Sequence, residues 1–255
     1  SAEQASLQKK EFENDFPFSQ IEMKENVILS FKNASELLCD VAELDFTILK
    51  GILSSYEGKK VSYKDFFLGE TTPTRLMGKR FDIQMMKEEL AFGYKICSAL
   101  IQQAVQIEYG NDFILQSDEA VYQKTNPQEK TLCGTIKAYP ISAESYCNLL
   151  YQGETIQAKY IHIDANNSLI QIDEPKGFLQ SQLFGKQQTS PLFLKCKKLL
   201  WNHEKDTLLL QEKVELKERT LGTLYAEKEL LLQLGTFSEK KSIQWIQIEG
   251  FSHIT

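Results

Sequence analysis

Several features of specialised protein classes are missing from the sequence. Its 255 residues include only 13 Gly and 6 Pro beside a hydrophobic content of 42%, which excludes a collagen-like or a disordered chain. No apolar run approaches the roughly 20 residues needed to cross a bilayer, so no transmembrane helix is predicted. The formal charge of −6 offers no basic stripe for phosphate contacts. Nucleic acid is therefore not an expected partner.

Motifs of metal binding and catalysis are also missing. The five cysteines and three histidines follow neither C-x-x-C nor H-E-x-x-H spacing. We expect the cysteines to serve as small buried apolar residues. No G-x-G-x-x-G, Walker-type or G-x-S-x-G sequence occurs, and nothing converges on the pairs of neighbouring acidic residues. The sequence therefore predicts no enzyme, no cofactor and no metal site.

Short stretches of alternating apolar residues are abundant and predict an all-β fold. Examples are Val27 to Phe31, Val105 to Tyr109, Leu192 to Cys196 and Ile243 to Trp245. A period of two is typical of a strand with one buried face, and polar turn sequences separate the stretches. Two segments have helix-compatible composition. These are Ala2 to Asn14, within a polar N-terminus at residues 1–20 that we expect to be frayed, and Met85 to Val105.

A repeat unit organises the predicted strands. A branched apolar residue is followed by a small residue two positions later and by apolar residues five and seven positions later. The six copies begin at Leu37, Leu76, Leu115, Ile156, Leu194 and Leu224. Their starts are 39, 39, 41, 38 and 30 residues apart, and only the last copy breaks the pattern, at Glu229. Repeats that cannot bury their apolar faces alone stack to share a core, which predicts an elongated, solenoid-like folded sheet.

The spacing within the repeat predicts a bend. The change from even to odd spacing after the small residue implies one extra residue in the strand, as in a bulge or corner. The small residue fits a narrow place where two sheet faces approach each other. Val27, Val105 and Val214 each lie ten residues ahead of a repeat, and the pairs Glu25-Asn26 and Glu212-Lys213 before two of them suit tight bends.

These residues resemble the OstA-like family of lipopolysaccharide transport, which comprises the periplasmic LptA and LptC and the amino-terminal domain of LptD. The family pattern G-N-V-x-φ … φ-x-A-D-x-φ-x-φ is similar to Glu25 to Leu29 followed by Leu37 to Asp40, and to Ile156 to Ile163. The resemblance covers Glu22 to Thr255. It implies one continuous repeat domain from residue 21 to 255, with a candidate seam near residues 180–190.

The resemblance implies a β-jelly roll or β-taco whose apolar groove holds the acyl chains of lipopolysaccharide, or of another acylated lipid, between the inner and outer membranes. Open strand edges would add like-folded transport proteins or a second copy of the chain. The implied location is the periplasm. Because the chain begins with Ser1, we expect an upstream signal peptide, anchor or tag.

Twelve repeat positions are the candidates for lining this groove. They are Val27, Leu29, Leu37, Leu76, Val105, Ile107, Leu115, Ile156, Leu194, Val214, Leu216 and Leu224. Packing within a filled core is the alternative role for each of them. Six aromatic residues are candidates for covering groove edges, although aromatic residues in strands also reflect β-propensity. They are Phe31, Phe81, Phe113, Tyr160, Trp201 and Trp245.

Three functions stay open at this point. The first is a periplasmic lipid-binding bridge. The second is a structural or adhesive β-solenoid with a filled core and no lipid ligand. The third is an enzyme on a β-helix scaffold, which is disfavoured because acidic residues do not cluster at one repeated position.

Overall fold

All regular secondary structure in the described part of the chain is β-strand. A computed structural model describes residues 4–9, 18–30, 35–66, 72–87, 94–124, 134–151, 153–179, 182–183, 191–219, 222–237 and 240–254. The prediction of an all-β protein is confirmed. Residues 94–105 form a strand, so the helix-compatible reading of Met85 to Val105 is wrong for them. Gln4–Lys9 also form a strand, where the sequence predicted a frayed N-terminus.

The chain divides into two compact units. Unit 1 comprises residues 1–111 and 116–136, and unit 2 comprises residues 112–115 and 137–255. The sequence had predicted one continuous domain from residue 21. Its candidate seam near residues 180–190 lies within unit 2, and only Gln182 and Leu183 of that segment are described.

Unit 1 contains eight strands of its own among the described residues. They are β1 Gln4–Lys9, β2 Phe18–Ser30, β3 Glu36–Asp45, β4 Lys50–Ser54, β5 Val61–Asp65, β6 Thr74–Gly78, β7 Arg80–Lys87 and β8 Tyr94–Tyr109. Two further strands, β9 Phe113–Lys124 and β10 Gly134–Tyr139, contribute residues to both units. All pairings within unit 1 are antiparallel, and β3, β4, β7, β8, β6 and β5 pair in a closed ring of six.

Unit 2 contains fourteen strands of its own among the described residues. They are β11 Cys147–Tyr151, β12 Glu154–Ala158, β13 Tyr160–Asp164, β14 Leu169–Asp173, β15 Lys176–Leu179, β16 Gln182–Leu183, β17 Leu192–Lys195, β18 Lys198–Asn202, β19 Thr207–Gln211, β20 Val214–Glu218, β21 Gly222–Ala226, β22 Glu229–Phe237, β23 Lys240–Glu249 and β24 Ser252–Ile254.

Each unit has two walls joined at a bend. In unit 1 the long strands β2, β3 and β8 each contribute to both walls. The first wall consists of β5, β6 and residues 27–30, 36–39 and 105–109. The second wall consists of β4, β7 and residues 18–24, 41–45 and 94–102. In unit 2 the first wall holds β11, β12, β15, β17, β20, β21 and β24. The second wall of unit 2 holds β13, β14, β18, β19, β22 and β23.

Left-handed residues form the bend, as the spacing predicted. Glu25 and Asn26 have φ of 61° and 50°, and Glu212 and Lys213 have φ of 58° and 54°. In unit 1 the ladder between β2 and β3 shifts register at this place, between Lys24 and Val27. Non-glycine residues rarely adopt this region, so their pairing at repeated positions marks a corner within each unit.

Backbone hydrogen bonds continue the ladder through the bend of unit 2. Glu174 N donates to Lys197 O at 2.7 Å, and Lys197 N donates to Gln211 O at 3.1 Å. Glu212 N then donates to Lys228 O at 2.6 Å. The bend therefore keeps its polar groups satisfied while it turns the strands.

A narrow gap explains the small residue of the repeat. A Cβ atom added at Gly78 would lie 2.6 Å from Cγ2 of Ile101 on the other wall. This distance is too short for two carbon atoms, so a larger residue would push the walls apart. The prediction of a close approach at this position is confirmed for Gly78.

Candidate functional site

The repeat starts form one apolar row along the first wall of each unit. In unit 1 the row runs across neighbouring strands through Leu29, Leu37, Tyr63, Leu76 and Ile107. In unit 2 it runs through Leu149, Ile156, Gly177, Leu194, Leu216 and Leu224. The register therefore brings together residues that are about 40 positions apart in the sequence.

Most of the twelve candidates are fully buried. Ten of them have an exposed fraction of 4% or less, namely Val27, Leu37, Leu76, Val105, Ile107, Leu115, Ile156, Leu194, Val214 and Leu216. Leu29 and Leu224 are only half-buried. Side chains thus fill the space between the walls, and an apolar ligand would enter by displacing them or by moving the walls apart.

The second wall supplies an equally apolar face that the candidate set left out. In unit 2 its two buried rows contain Ile161, Ile172, Leu199, Leu210 and Leu230, and Ile163, Ile170, Trp201, Leu208 and Leu232. The alternation of apolar residues in β14, β19 and β22 carried this signal. β14 and β19 fall between copies of the repeat, and in β22 the last copy breaks at Glu229, so a search restricted to the repeat missed these strands.

The lip of each unit is the margin of its walls opposite the bend. In unit 1 the lip consists of Ser35, Tyr63, Asp65, Tyr122 and Lys124. The Asp65 carboxylate accepts hydrogen bonds from Ser35 Oγ at 2.8 Å, Tyr63 Oη at 3.0 Å and Tyr122 Oη at 2.8 Å. Lys124 Nζ lies 2.8 Å from Asp65 Oδ2, and both side chains are buried. This network joins β5 of the first wall to the C-terminal end of β9.

The electrostatics of the unit-1 lip favour the charged pair. Burial opposes ionisation of Asp65, but the Lys124 ammonium and the hydroxyl donors outweigh it and hold the pKa of Asp65 below its ordinary value. Burial, together with the neighbouring Asp65 charge, raises the pKa of Tyr63 and Tyr122 well above the ordinary value. Both phenols therefore stay neutral donors.

The lip of unit 2 has a different chemistry. It consists of Phe113, Tyr151, Glu154 and Trp201. The Tyr151 ring lies edge-on to Trp201 with centroids 4.9 Å apart, and to Phe113 with centroids 6.4 Å apart. Trp201 Nε1 is buried without a hydrogen-bond partner in the described part of the chain. Burial raises the pKa of Glu154 to about 7.

Two of the six aromatic candidates, Phe113 and Trp201, lie at this lip. Phe81 is buried in the second wall of unit 1, Tyr160 is half-buried and Trp245 is exposed. Phe31 lies outside the described residues. Glu154 was not predicted, because only the pairing of Tyr151 with Glu154 across the hairpin shows that this acid lies at the lip.

A groove of about 830 Å³ lies on the second wall of unit 1. Its lining includes Ile52, Leu100 and Val121 together with Glu22, Glu43, Asp45 and Asp82. Ile52 and Leu100 alternate with fully buried neighbours, so their side chains point away from the apolar interior. None of the twelve candidate residues lines this groove, although the buried Leu44, Ile83 and Ala99 do.

Three of the four cysteines in the described residues are buried. Cys39, Cys147 and Cys196 are buried, as expected for small apolar residues, whereas Cys97 is half-buried and Cys133 lies outside the described residues. The described residues contain no group of three or more His, Cys, Asp or Glu side chains placed to hold a metal ion. Nor do they form a helix of the length and apolarity that membrane crossing requires.

Comparisons with protein families, with curated proteins and with solved structures find no match for this chain.

Proposed function

We propose that this protein is a periplasmic bridge component that carries lipopolysaccharide, or another acylated lipid, between the inner and outer membranes. Each unit would act as a β-taco, a form of β-jelly roll, whose two apolar walls clasp acyl chains. The observation that carries the proposal is the pair of facing apolar walls, whose repeat starts align in one row across successive strands. Transfer requires no covalent chemistry.

The energetics favour acyl chains in such an interior. Each buried methylene contributes about 0.8 kcal/mol, so one chain of a dozen carbons gains about 10 kcal/mol before the walls are separated. This gain offsets the loss of contacts between the walls, because the chain replaces one apolar surface with another. The lipid opens the interior by binding to it.

Exposed strand edges support assembly with like-folded partners or with a second copy of the chain. Residues 245–249 of β23 pair with β22 on one side, and on the other side the described strands pair only with Ser242 and Ile243. Trp245 and Ile248 on this strand, and Phe251 next to it, are exposed. An exposed apolar edge strand is a template for strand addition.

A structural β-scaffold with a filled core is the second candidate. The observation that favours it is the near-complete burial of ten of the twelve candidate residues against one another and their neighbours. In this function the same side chains would pack permanently, and the exposed edges alone would bind partners.

Photocrosslinking at neighbouring positions separates the two candidates. A photoactivatable residue replaces Leu216, which faces the interior, or Lys217, which is exposed on the same strand. After incubation with lipopolysaccharide, the carrier function predicts a crosslink at position 216 and none at 217. No crosslink at 216, in a protein with wild-type circular dichroism, would favour the scaffold.

A further inference from the structure

The unit-2 lip contains a buried hydrogen-bond donor that has no acceptor among the described residues. Trp201 is 7% exposed, and its Nε1 atom has no acceptor in the described part of the chain. An indole N–H can only donate, and a buried donor without a partner is unfavourable. Native proteins satisfy nearly all such groups, so an unsatisfied one suggests that its partner is a ligand.

Aromatic rings fix the position of this donor. Trp201 occupies the second wall beside Ile170 and Leu208, its partners on the neighbouring strands. From the first wall, the Tyr151 ring lies edge-on to it, with the centroids 4.9 Å apart. An acceptor that reaches Nε1 would therefore stand between aromatic and aliphatic side chains, which are apolar contacts for an aliphatic chain attached to it.

Glu154 brings a carboxyl group to the same lip. It pairs with Tyr151 across the β11–β12 hairpin, and it alternates in phase with the buried Ile156 and Ala158. The side chain therefore points into the interior. It has neither an ion pair nor a hydrogen bond in the described residues, and burial is the only cause that acts on its ionisation. A ligand with a negative charge would be repelled here once Glu154 is ionised.

We propose that the unit-2 lip binds the uncharged carbonyl of an ester or amide attached to an aliphatic chain. The carbonyl oxygen accepts a hydrogen bond from Trp201 Nε1, and the chain runs inward between Ile156 and the Ile170–Leu208 face. Glu154 selects against a free carboxylate. This inference rests on the proposed carrier function and adds to it the chemical group that fixes how deeply the chain enters.

Trp201 itself can report on binding, since the chain has only two tryptophans. The exposed Trp245 is replaced in W245F, so that a nitrogen-15 spectrum shows one indole N–H signal. Methyl octanoate, octanamide, octanoate and octane are titrated at pH 8. We expect the ester and the amide to move the indole proton downfield and to bind at least tenfold more tightly than octane. We expect octanoate to bind at least fivefold more weakly than the ester.

Two further variants test whether Trp201 causes the preference for a carbonyl group and whether Glu154 causes the weaker binding of a carboxylate. W201F, with folding checked by circular dichroism, is expected to bind the ester and octane within twofold of each other. E154Q is expected to strengthen octanoate binding about fivefold at pH 8, and so to bring it within about twofold of methyl octanoate binding.

The outcomes separate this inference from the proposed function. Octane binding as tightly as the ester, or an ester that leaves the indole signal unmoved, would overturn the carbonyl site while the apolar carrier stands. If none of the four probes binds the folded protein, both the carrier and the carbonyl site are wrong.

Discussion

The two units share a bend and apolar walls, but their lips differ in whether the buried polar groups are satisfied. In unit 1, the Asp65 carboxylate forms an ion pair with the Lys124 ammonium and accepts hydrogen bonds from three hydroxyl groups. In unit 2, the Trp201 N–H and the Glu154 carboxyl lack partners in the described residues. A buried polar network with all its hydrogen bonds made rigidifies a structure. Buried groups without partners instead favour a conformation in which a ligand supplies the missing hydrogen bonds. The contrast leads us to expect that unit 2 opens to an acyl chain more readily than unit 1.

The largest expected effect is the loss of the ion pair in unit 1. Lys124→Met leaves the Asp65 carboxylate buried without its cation, which should lower the free energy of unfolding by about 3–5 kcal/mol. Urea denaturation measures this change. Lys24→Met is the matched control, because Lys24 pairs with Glu22 at 2.7 Å on the surface, where solvent screens the pair and its loss should change stability far less. Equal losses in both variants would show that the unit-1 lip is not held by charge.

The apolar walls should be similarly packed in the two units. Leu76→Ala in unit 1 and Leu149→Ala in unit 2 each remove a buried side chain and should each cost about 2–5 kcal/mol. Leu150→Ala is the control, since Leu150 is adjacent to Leu149 but 43% exposed, and its loss should change the free energy of unfolding by about 0.5 kcal/mol or less. A far smaller cost at Leu149 than at Leu76 would place the difference between the units in their walls rather than their lips.

Glu154 should make stability depend on pH. Its pKa is about 7 in the folded protein against an ordinary 4.5, so the folded state holds a proton that the unfolded state has released. Stability should therefore fall as the pH rises from about 4.5 to 7 and should change no further above that range. Glu154→Gln should remove this fall and be more stable at pH 8 by about 1–3 kcal/mol, because one pKa unit corresponds to about 1.4 kcal/mol.

Thermal unfolding across pH 4 to 8 measures this effect. Glu249→Gln, which changes an exposed glutamate, serves as the control and should keep the pH dependence of the wild type. A wild-type pH dependence in Glu154→Gln would mean that another group causes it.

The smallest effect concerns the bend, of which each unit has its own. Lys213 has φ of 54°, a conformation that glycine adopts without strain, so Lys213→Gly should stabilise the protein by up to about 1 kcal/mol. Lys197 lies at the same bend but is not left-handed, so Lys197→Gly should destabilise by about 0.5–1 kcal/mol. Urea denaturation of both variants tests the sign, and the same sign for both would contradict the assigned geometry.

The sequence was most informative where one local rule repeats. The first repeat buries Leu37, Cys39, Ala42 and Leu44, as its spacing predicted. In the last repeat the buried residues are Leu230 and Leu232 instead of Leu231. Three residues lie between the buried Ala226 and Leu230 there, whereas two lie between Cys196 and Leu199 in the preceding repeat. The longer bend accounts for the displaced pattern.

An irregular strand explains the helix-compatible reading of Met85 to Val105. The ladder between β7 and β8 shifts register between Gln84 and Met85, so that Gln84 pairs with Ser98 and Met85 with Ile96. Cys97 is left over, and the buried residues Ile96 and Ala99 become three positions apart. This spacing imitates one turn of a helix.

The lips could not be predicted because their partners are distant in the sequence. Asp65 meets Ser35 and Tyr122, which are 30 and 57 positions away. Nothing in the residues around Asp65 or Glu154 shows that one acid is satisfied and the other is not. That distinction arises only from the register of the walls.

Quenching of Trp201 by a brominated lipid tests most directly whether unit 2 opens to an acyl chain. W245F leaves Trp201 as the only tryptophan, which is excited selectively while a phospholipid with dibrominated acyl chains is titrated into the folded protein. The account predicts saturable quenching of at least half of the emission, and far weaker quenching of Trp245 in W201F. Unchanged Trp201 emission at saturating lipid would contradict the opening of unit 2.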